Sequence, residues 1–88
     1  MHVELLLKEQ QRKFQLQFQN LTNEKLVECF NKQVRCLNGN SLRNVYLEAL
    51  KNEFLSRDFD SSIVLIKYGL RLQQKVRLEN NCLVHANI

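Results

Sequence analysis

Proline and tryptophan are absent, and glycine occurs only twice, at Gly39 and Gly69. Those absences exclude collagen-like, proline-rich and glycine-rich linker chains. They also exclude chemistry that depends on a glycine-rich phosphate loop. No apolar stretch approaches the roughly 20 residues of a membrane helix. The cysteines number three, at Cys29, Cys36 and Cys82, an odd count that does not make a closed disulfide framework. Residues Met1–Lys8 include Glu4 and only a three-leucine run, Leu5–Leu7, well short of a signal-peptide core of roughly 7–15 apolar residues. The expectation is a soluble cytoplasmic protein with free thiols and no membrane contact.

What is present is an ordinary globular balance. The chain has 88 residues, 44% hydrophobic and 25% charged, with a net charge of +4. This predicts one domain, 1–88, rather than a disordered chain, with residues 1–12 open to fraying at the free end. A chain this short buries only about 60–65% of the surface it exposes when unfolded, so its core is marginal. Association with a second copy is a common supplement to such a core, and a homo-oligomer is expected.

Apolar spacing predicts three helices. Over residues 1–20, Leu7, Phe14, Phe18 and Leu21 fall on one face at helical intervals. The stretch 14–19 also alternates with period two, but only the helical register extends to Leu7 and Leu21. Gln10 and Gln11 interrupt the stripe where a coiled coil would place apolar residues. Thr22 is a candidate N-cap, and Leu21 and Leu26 stand at the spacing of a hydrophobic staple. Leu26, Val27, Phe30, Val34 and Leu37 then mark an amphipathic helix over about 22–37. Asn38-Gly39-Asn40 closes it, with Gly39 suited to a left-handed cap. Ser41 is the next N-cap candidate, opening a helix to about residue 57 with Val45, Tyr46, Ala49, Leu50 and Phe54 on its stripe. Residues 57–62 read as a loop, with Phe59 folded back onto the core.

The last third changes character. Ile63–Ile66 is β-branched and short, which suits a strand. From Leu70 to Leu78 apolar and polar residues alternate. Asn80-Asn81 follows, and both residues tolerate positive φ, as a two-residue hairpin turn requires. That turn pairs Leu78 with Leu83 and Val76 with His85. The expected fold class is therefore α+β: two antiparallel amphipathic helices plus an N-terminal helix, packed by a C-terminal β-hairpin or short meander. The alternative is one helix over 62–79 and a small all-α bundle. The expected core is Leu26, Phe30, Val34, Tyr46, Leu50, Phe54, Phe59, Ile63, Leu65, Val76 and Leu78.

Residues 21–31, Leu-Thr-Asn-Glu-Lys-Leu-Val-Glu-Cys-Phe-Asn, resemble the opening of a group of small uncharacterised bacterial proteins of prophage type. So do residues 41–50, Ser-Leu-Arg-Asn-Val-Tyr-Leu-Glu-Ala-Leu, continuing through Glu53-Phe54 and 57–62. The resemblance covers about half the chain and rests on core and cap residues. It implies a bacterial cytosolic protein with two helices followed by short strands, and it brings no activity, ligand or catalytic residue.

The sequence offers little for catalysis. Cys29 and Cys36 lie seven residues apart on one helix, roughly 10 Å, which is too far for a disulfide. With Cys82 and His85 they match no usual zinc spacing. Asp58 and Asp60 read as turn-formers. No enzyme activity, metal or cofactor is expected. Charge is more informative. Residues 1–60 hold nine basic and eight acidic side chains, whereas residues 61–88 hold Lys67, Arg71, Lys75 and Arg77 against Glu79 alone. As strand or helix, that run presents a basic stripe. It is a candidate nucleic-acid contact through phosphates, or else a solvated face that blocks edge pairing. The Phe14, Phe18, Leu21 stripe is a second candidate, an anchor for a partner protein's groove or a face packed on its own core. The leading expectation is a non-enzymatic protein–protein interaction module that self-associates. The alternative is a small nucleic-acid-binding protein.

Overall fold

The computed structural model describes residues 2–36 and 39–86. The chain is α+β. Three helices come first: α1 (His2–Gln19), α2 (Asn23–Gln33) and α3 (Ser41–Ser56). A 3-10 turn, Ser62–Val64, leads into two antiparallel hairpins: β1 (Leu65–Ile66) with β2 (Gly69–Leu70), and β3 (Val76–Glu79) with β4 (Cys82–His85). The all-α alternative for 62–79 is not realised.

Local chemistry fixes the helix ends. Thr22 caps α2, its hydroxyl accepting from the Lys25 N–H at 3.2 Å. The cap of α3 is Asn40, whose Oδ1 accepts from the Arg43 N–H at 2.8 Å, one residue before the expected Ser41. Asn is the stronger cap here because the helix already includes Ser41. The expected end of α2 near 37 is also corrected, because its last helical residue is Gln33. There Arg43 reaches over from α3 and donates to the Gln33 side chain at 3.0 Å and to its carbonyl at 3.3 Å. The left-handed residue that turns the chain is Arg35, at φ 63, not Gly39. A non-glycine residue is unfavourable in that region. Its N–H donates to the Leu72 carbonyl at 3.0 Å, and its Nε to the Gln73 carbonyl, which holds it in place. Leu37 and Asn38 lie outside the described residues.

The three helices run up, down and up. Phe14 of α1 meets Tyr46 of α3 edge-on, with ring centroids 5.0 Å apart. The Phe18 and Leu21 carbonyls accept from Arg57, just past the end of α3. These contacts make α1 parallel to α3. The Arg43–Gln33 and Arg57–Asn23 bonds make α2 antiparallel to α3. Stepping back from the Phe14–Tyr46 contact places the first two turns of α1 beyond the start of α3.

Arg57 is the main polar tie of the interior. It forms an ion pair with Glu53 at 2.6 Å and donates to Asn23 Oδ1 at 2.8 Å. It also donates to the Phe18 carbonyl near the end of α1 at 2.8 Å and to the Leu21 carbonyl beyond it at 2.9 Å. Carbonyls at a helix end have no partner within the helix. The guanidinium serves the Phe18 carbonyl, which also accepts from the Leu21 N–H at 3.1 Å, and the Leu21 carbonyl just past the helix.

The buried core comprises Phe18, Leu26, Val27, Phe30, Ala49, Leu50, Phe54, Phe59, Val64, Leu70, Val76 and Leu83. Phe59 folds back as the sequence predicts and meets Phe54 edge-on at 6.0 Å. Val34, Tyr46, Ile63, Leu65 and Leu78, expected in the core, are only half-buried against it. Val34 is the residue just past the end of α2, and Tyr46 lies under Phe14 and Phe18 of α1. For Ile63, Leu65 and Leu78 the reason is the tail. Residues 63–66 do not form one strand, because the 3-10 turn occupies 62–64 and turns Val64 inward in place of Ile63. The alternation from Leu70 to Leu78 is likewise split by a bend at Gln73–Gln74. Arg71 donates its N–H to the Val64 carbonyl, which carries the β1–β2 register one residue further and leaves the chain from 72 on to turn toward β3. The second hairpin has the expected register: Asn80 and Asn81 sit at φ 51 and 62, Leu78 faces Leu83, and Val76 faces His85.

Candidate functional site

The four predicted cations do not share a face. Lys67 sits in the turn between β1 and β2, its Nζ 5.3 Å from the Tyr68 ring centre. Arg71 is exposed in the following loop and edges a recess beside His85. Arg77 projects from β3 and pairs with Glu79 at 2.9 Å. Lys75 lies across from α2, where it lines a shallow depression with Lys25, Glu28, Asn31 and Lys32. The basic stripe expected over 67–77 therefore breaks up, because the bend at Gln73–Gln74 ends the strand that would have aligned it.

Lys75 gains new neighbours in exchange. Lys25, Glu28 and Lys32 follow one face of α2, and Asn31 bonds to the backbone of Val76, the residue after Lys75. Three lysines from two segments thus surround a depression of about 470 Å³. Its one carboxylate, Glu28, pairs with Lys25 at 3.5 Å. The α2 lysines are legible in the sequence at i and i+7. Their meeting with Lys75 is not, because it depends on one side-chain-to-backbone contact across 45 positions.

The second pair of candidates, Phe14 and Phe18, turns inward. Phe18 is 2% exposed, and both rings stand edge-on against Tyr46 at 5.0 and 5.1 Å. As folded, these side chains serve the chain's own core and do not offer an anchor stripe to a partner. Burial pushes the Tyr46 hydroxyl up to about 12, and the Cys29 thiol beside it adds to the effect.

The exposed apolar side chains of α1 lie elsewhere. Leu5, Leu6 and Leu16 are 60%, 59% and 55% exposed. Leu5 and Leu16 stand on the face opposite Phe14 and Phe18. The outer spacing of 5, 9, 12 and 16 is visible in the sequence beside the inner stripe of Leu7, Phe14, Phe18 and Leu21.

A groove of about 650 Å³ separates α3 from the first hairpin, with Leu47, Leu55 and Leu70 among its apolar walls. Lys51 closes over it, donating to the Ile66 carbonyl at 2.7 Å and to the Lys67 carbonyl at 3.3 Å. Glu48, Lys51 and Lys67 also line it, and no ion pair joins them among the described residues. Nor does any group of three or more His, Cys, Asp or Glu side chains come together among them. Asp60, one of the loop carboxylates, accepts from the Ser62 N–H at 2.9 Å, and that bond holds its carboxyl below the usual range. This is the geometry of a turn-former. Among the described residues, no helix is long and apolar enough to cross a membrane. Comparison with protein-family models, with curated proteins and with solved structures returns no match.

Proposed function

We propose that this chain is a small, non-enzymatic interaction protein of the cytoplasm that associates with a second copy of itself through α1. The observation that carries this reading is the outer side of α1, where Leu5 and Leu16 on its outer face and Leu6 on its flank stand more than half exposed. Single exposed leucines are common on any surface. Three on one helix, the first two on turns that outrun α3, form a face that a partner would cover. A core of this size gains from such cover. The three free thiols suit a reducing compartment. Light scattering after size exclusion, from about 1 μM to about 1 mM, tests the reading. The expected mass rises toward twice the 10.5 kDa of one chain. A constant monomer mass over that range overturns it.

A second reading has its own observation, the lysine-lined depression at the seam of α2 and β3. Lys32 and Lys75 have no acidic partner within ion-pair distance among the described residues, so they are free to meet phosphates. Nucleic-acid binding there would weaken steeply with salt, through counterion release. Fluorescence anisotropy with labelled DNA and RNA across a salt series tests it. Binding at low salt that K32E and K75E each abolish supports the reading, and no binding at low salt removes it.

A further inference from the structure

We propose that two copies of this chain pair through the outer faces of their α1 helices, antiparallel. Leu5 of each copy meets Leu16 of the other, and Glu9 of each meets Arg12 of the other. This rests on the self-association proposed above and specifies its surface and register.

The argument begins with spacing. Residues 5, 9, 12 and 16 follow intervals of four, three and four, which is the repeat of a two-helix seam. At about 100° per residue they fall within about 60° of one another around the helix. All four are exposed. Glu9 and Arg12 are three residues apart on one helix, yet they form no ion pair with each other or with another described residue. Both charges are therefore available to a partner.

The order of these residues sets the orientation. Leu5 and Leu16 are equidistant from the point between Gln10 and Gln11, and so are Glu9 and Arg12. A two-fold axis through that point superposes the face on itself in reverse. Each leucine then meets a leucine, and each carboxylate meets a guanidinium. Parallel pairing would place Glu9 against Glu9 and Arg12 against Arg12, which charge repulsion disfavours. The flanks agree with the antiparallel choice. Leu6, 59% exposed, then lies beside the aliphatic stem of Lys13 from the second copy. The contact is isologous, so it closes at two copies rather than growing into a filament. It is also short, with two leucine layers around two ion-pair layers, so the dimer is expected to be weak and reversible.

The test is charge reversal on the intact chain, read by sedimentation equilibrium. E9R opposes two cations in each of the two ion-pair layers and R12E two carboxylates, and each variant alone is expected to dimerise at least about tenfold more weakly. The E9R/R12E double variant restores the pairing. An equimolar mixture of E9R and R12E forms a heterodimer from two chains that are each monomeric alone. Circular dichroism on both single variants checks that the fold is retained, as exposed positions allow. If the unaltered chain dimerises but neither reversal weakens it, the surface assigned here is wrong and self-association stands. If the reversals weaken the dimer but neither the double variant nor the mixture restores it, the register is wrong. If the unaltered chain never dimerises, both proposals fall.

Discussion

The side-chain amide of Asn31 makes both of its hydrogen bonds to one residue's backbone. It donates to the Val76 carbonyl and accepts from the Val76 N–H, each at 2.9 Å. Val76 faces His85 in the hairpin, and its own N–H and carbonyl point away from β4 toward the open edge. Asn31 therefore takes the place of a neighbouring strand for one residue. The other edge is treated alike: Asp60 accepts from the Leu83 N–H at 2.8 Å and donates its own N–H to the Asn81 carbonyl. An unprotected edge invites pairing with other chains; the Asn31 side chain covers one edge of this hairpin and the Asp60 backbone the other. N31A leaves both Val76 groups without a partner in a half-buried site. The expected loss is about 1–3 kcal/mol, measured by urea denaturation, with faster amide exchange at Val76. N31D keeps the acceptor and loses the donor, and should fall between the two. Equal stability of N31A and the unaltered chain would show that the edge is satisfied by water.

Arg57 makes a sharper prediction, because its partners differ in kind. The ion pair with Glu53 is largely buried, with the two side chains 15% and 9% exposed. Removing one member of such a pair costs about 3–5 kcal/mol, so R57A should be among the most destabilising substitutions in the chain. Replacing both members with apolar residues often recovers stability when the two charges serve only each other. Here it should not, because the Leu21 carbonyl also loses its donor and the Phe18 carbonyl keeps only the Leu21 N–H. Thermal denaturation of R57M/E53L should therefore show little recovery over R57M. Full recovery would mean that the carbonyls contribute nothing.

How much of this was legible in the sequence depends on the range of the contact. Thr22 as a cap, Asn80-Asn81 as a turn and the Leu78–Leu83 register all follow from neighbours a few positions apart, and all three are present. Phe18 in the core was half legible, since periodicity placed it on a stripe without saying what the stripe faced. Arg35 was not legible, because nothing local favours positive φ there. It is held by the Leu72 and Gln73 carbonyls, nearly 40 positions away. The same segment, tied by its backbone to α2 and to Val64, could not continue the alternation that promised a strand from 70 to 78. The basic stripe failed for this reason, since its geometry presupposed a regular element. The outer face of α1 is legible only as spacing, because two leucines flanking Glu9 and Arg12 do not by themselves say whether the chain's own core covers them.

Tyr46 links packing to pH. Its folded-state value of about 12 lies above the ordinary tyrosine value of 10.0. A raised value means the fold favours the neutral phenol. The stabilisation is complete below pH 10, declines as the unfolded chain begins to ionise, and is gone once pH passes about 12. Stability measured by denaturant at stepped pH should fall more steeply from pH 10 to 12 for the unaltered chain than for Y46F. Y46F keeps the ring against Phe14 and Phe18, so the two proteins should differ little at neutral pH. Parallel pH profiles for the two would place the hydroxyl in solvent.

The hairpin turn offers a prediction of the opposite sign. Asn80 and Asn81 both hold left-handed backbone, at φ 51 and 62, which is the demand of a two-residue type I′ turn. Asn meets that demand better than most residues, and Gly meets it without steric penalty. At the second position the most favoured pairing is Asn followed by Gly. N81G should therefore leave stability unchanged or raise it by a few tenths of a kcal/mol, the relief of strain offsetting the greater freedom of the unfolded chain. N81V should lower it by about 1 kcal/mol or more, because a β-branched side chain is strongly disfavoured at positive φ. Val76 and Leu83 are buried on this hairpin, so a displaced turn would also loosen the core. Amide exchange at Leu83, whose N–H reaches Asp60, separates the two effects. In N81V it should quicken along with global stability. If it quickened alone, the hairpin would open independently of the helices.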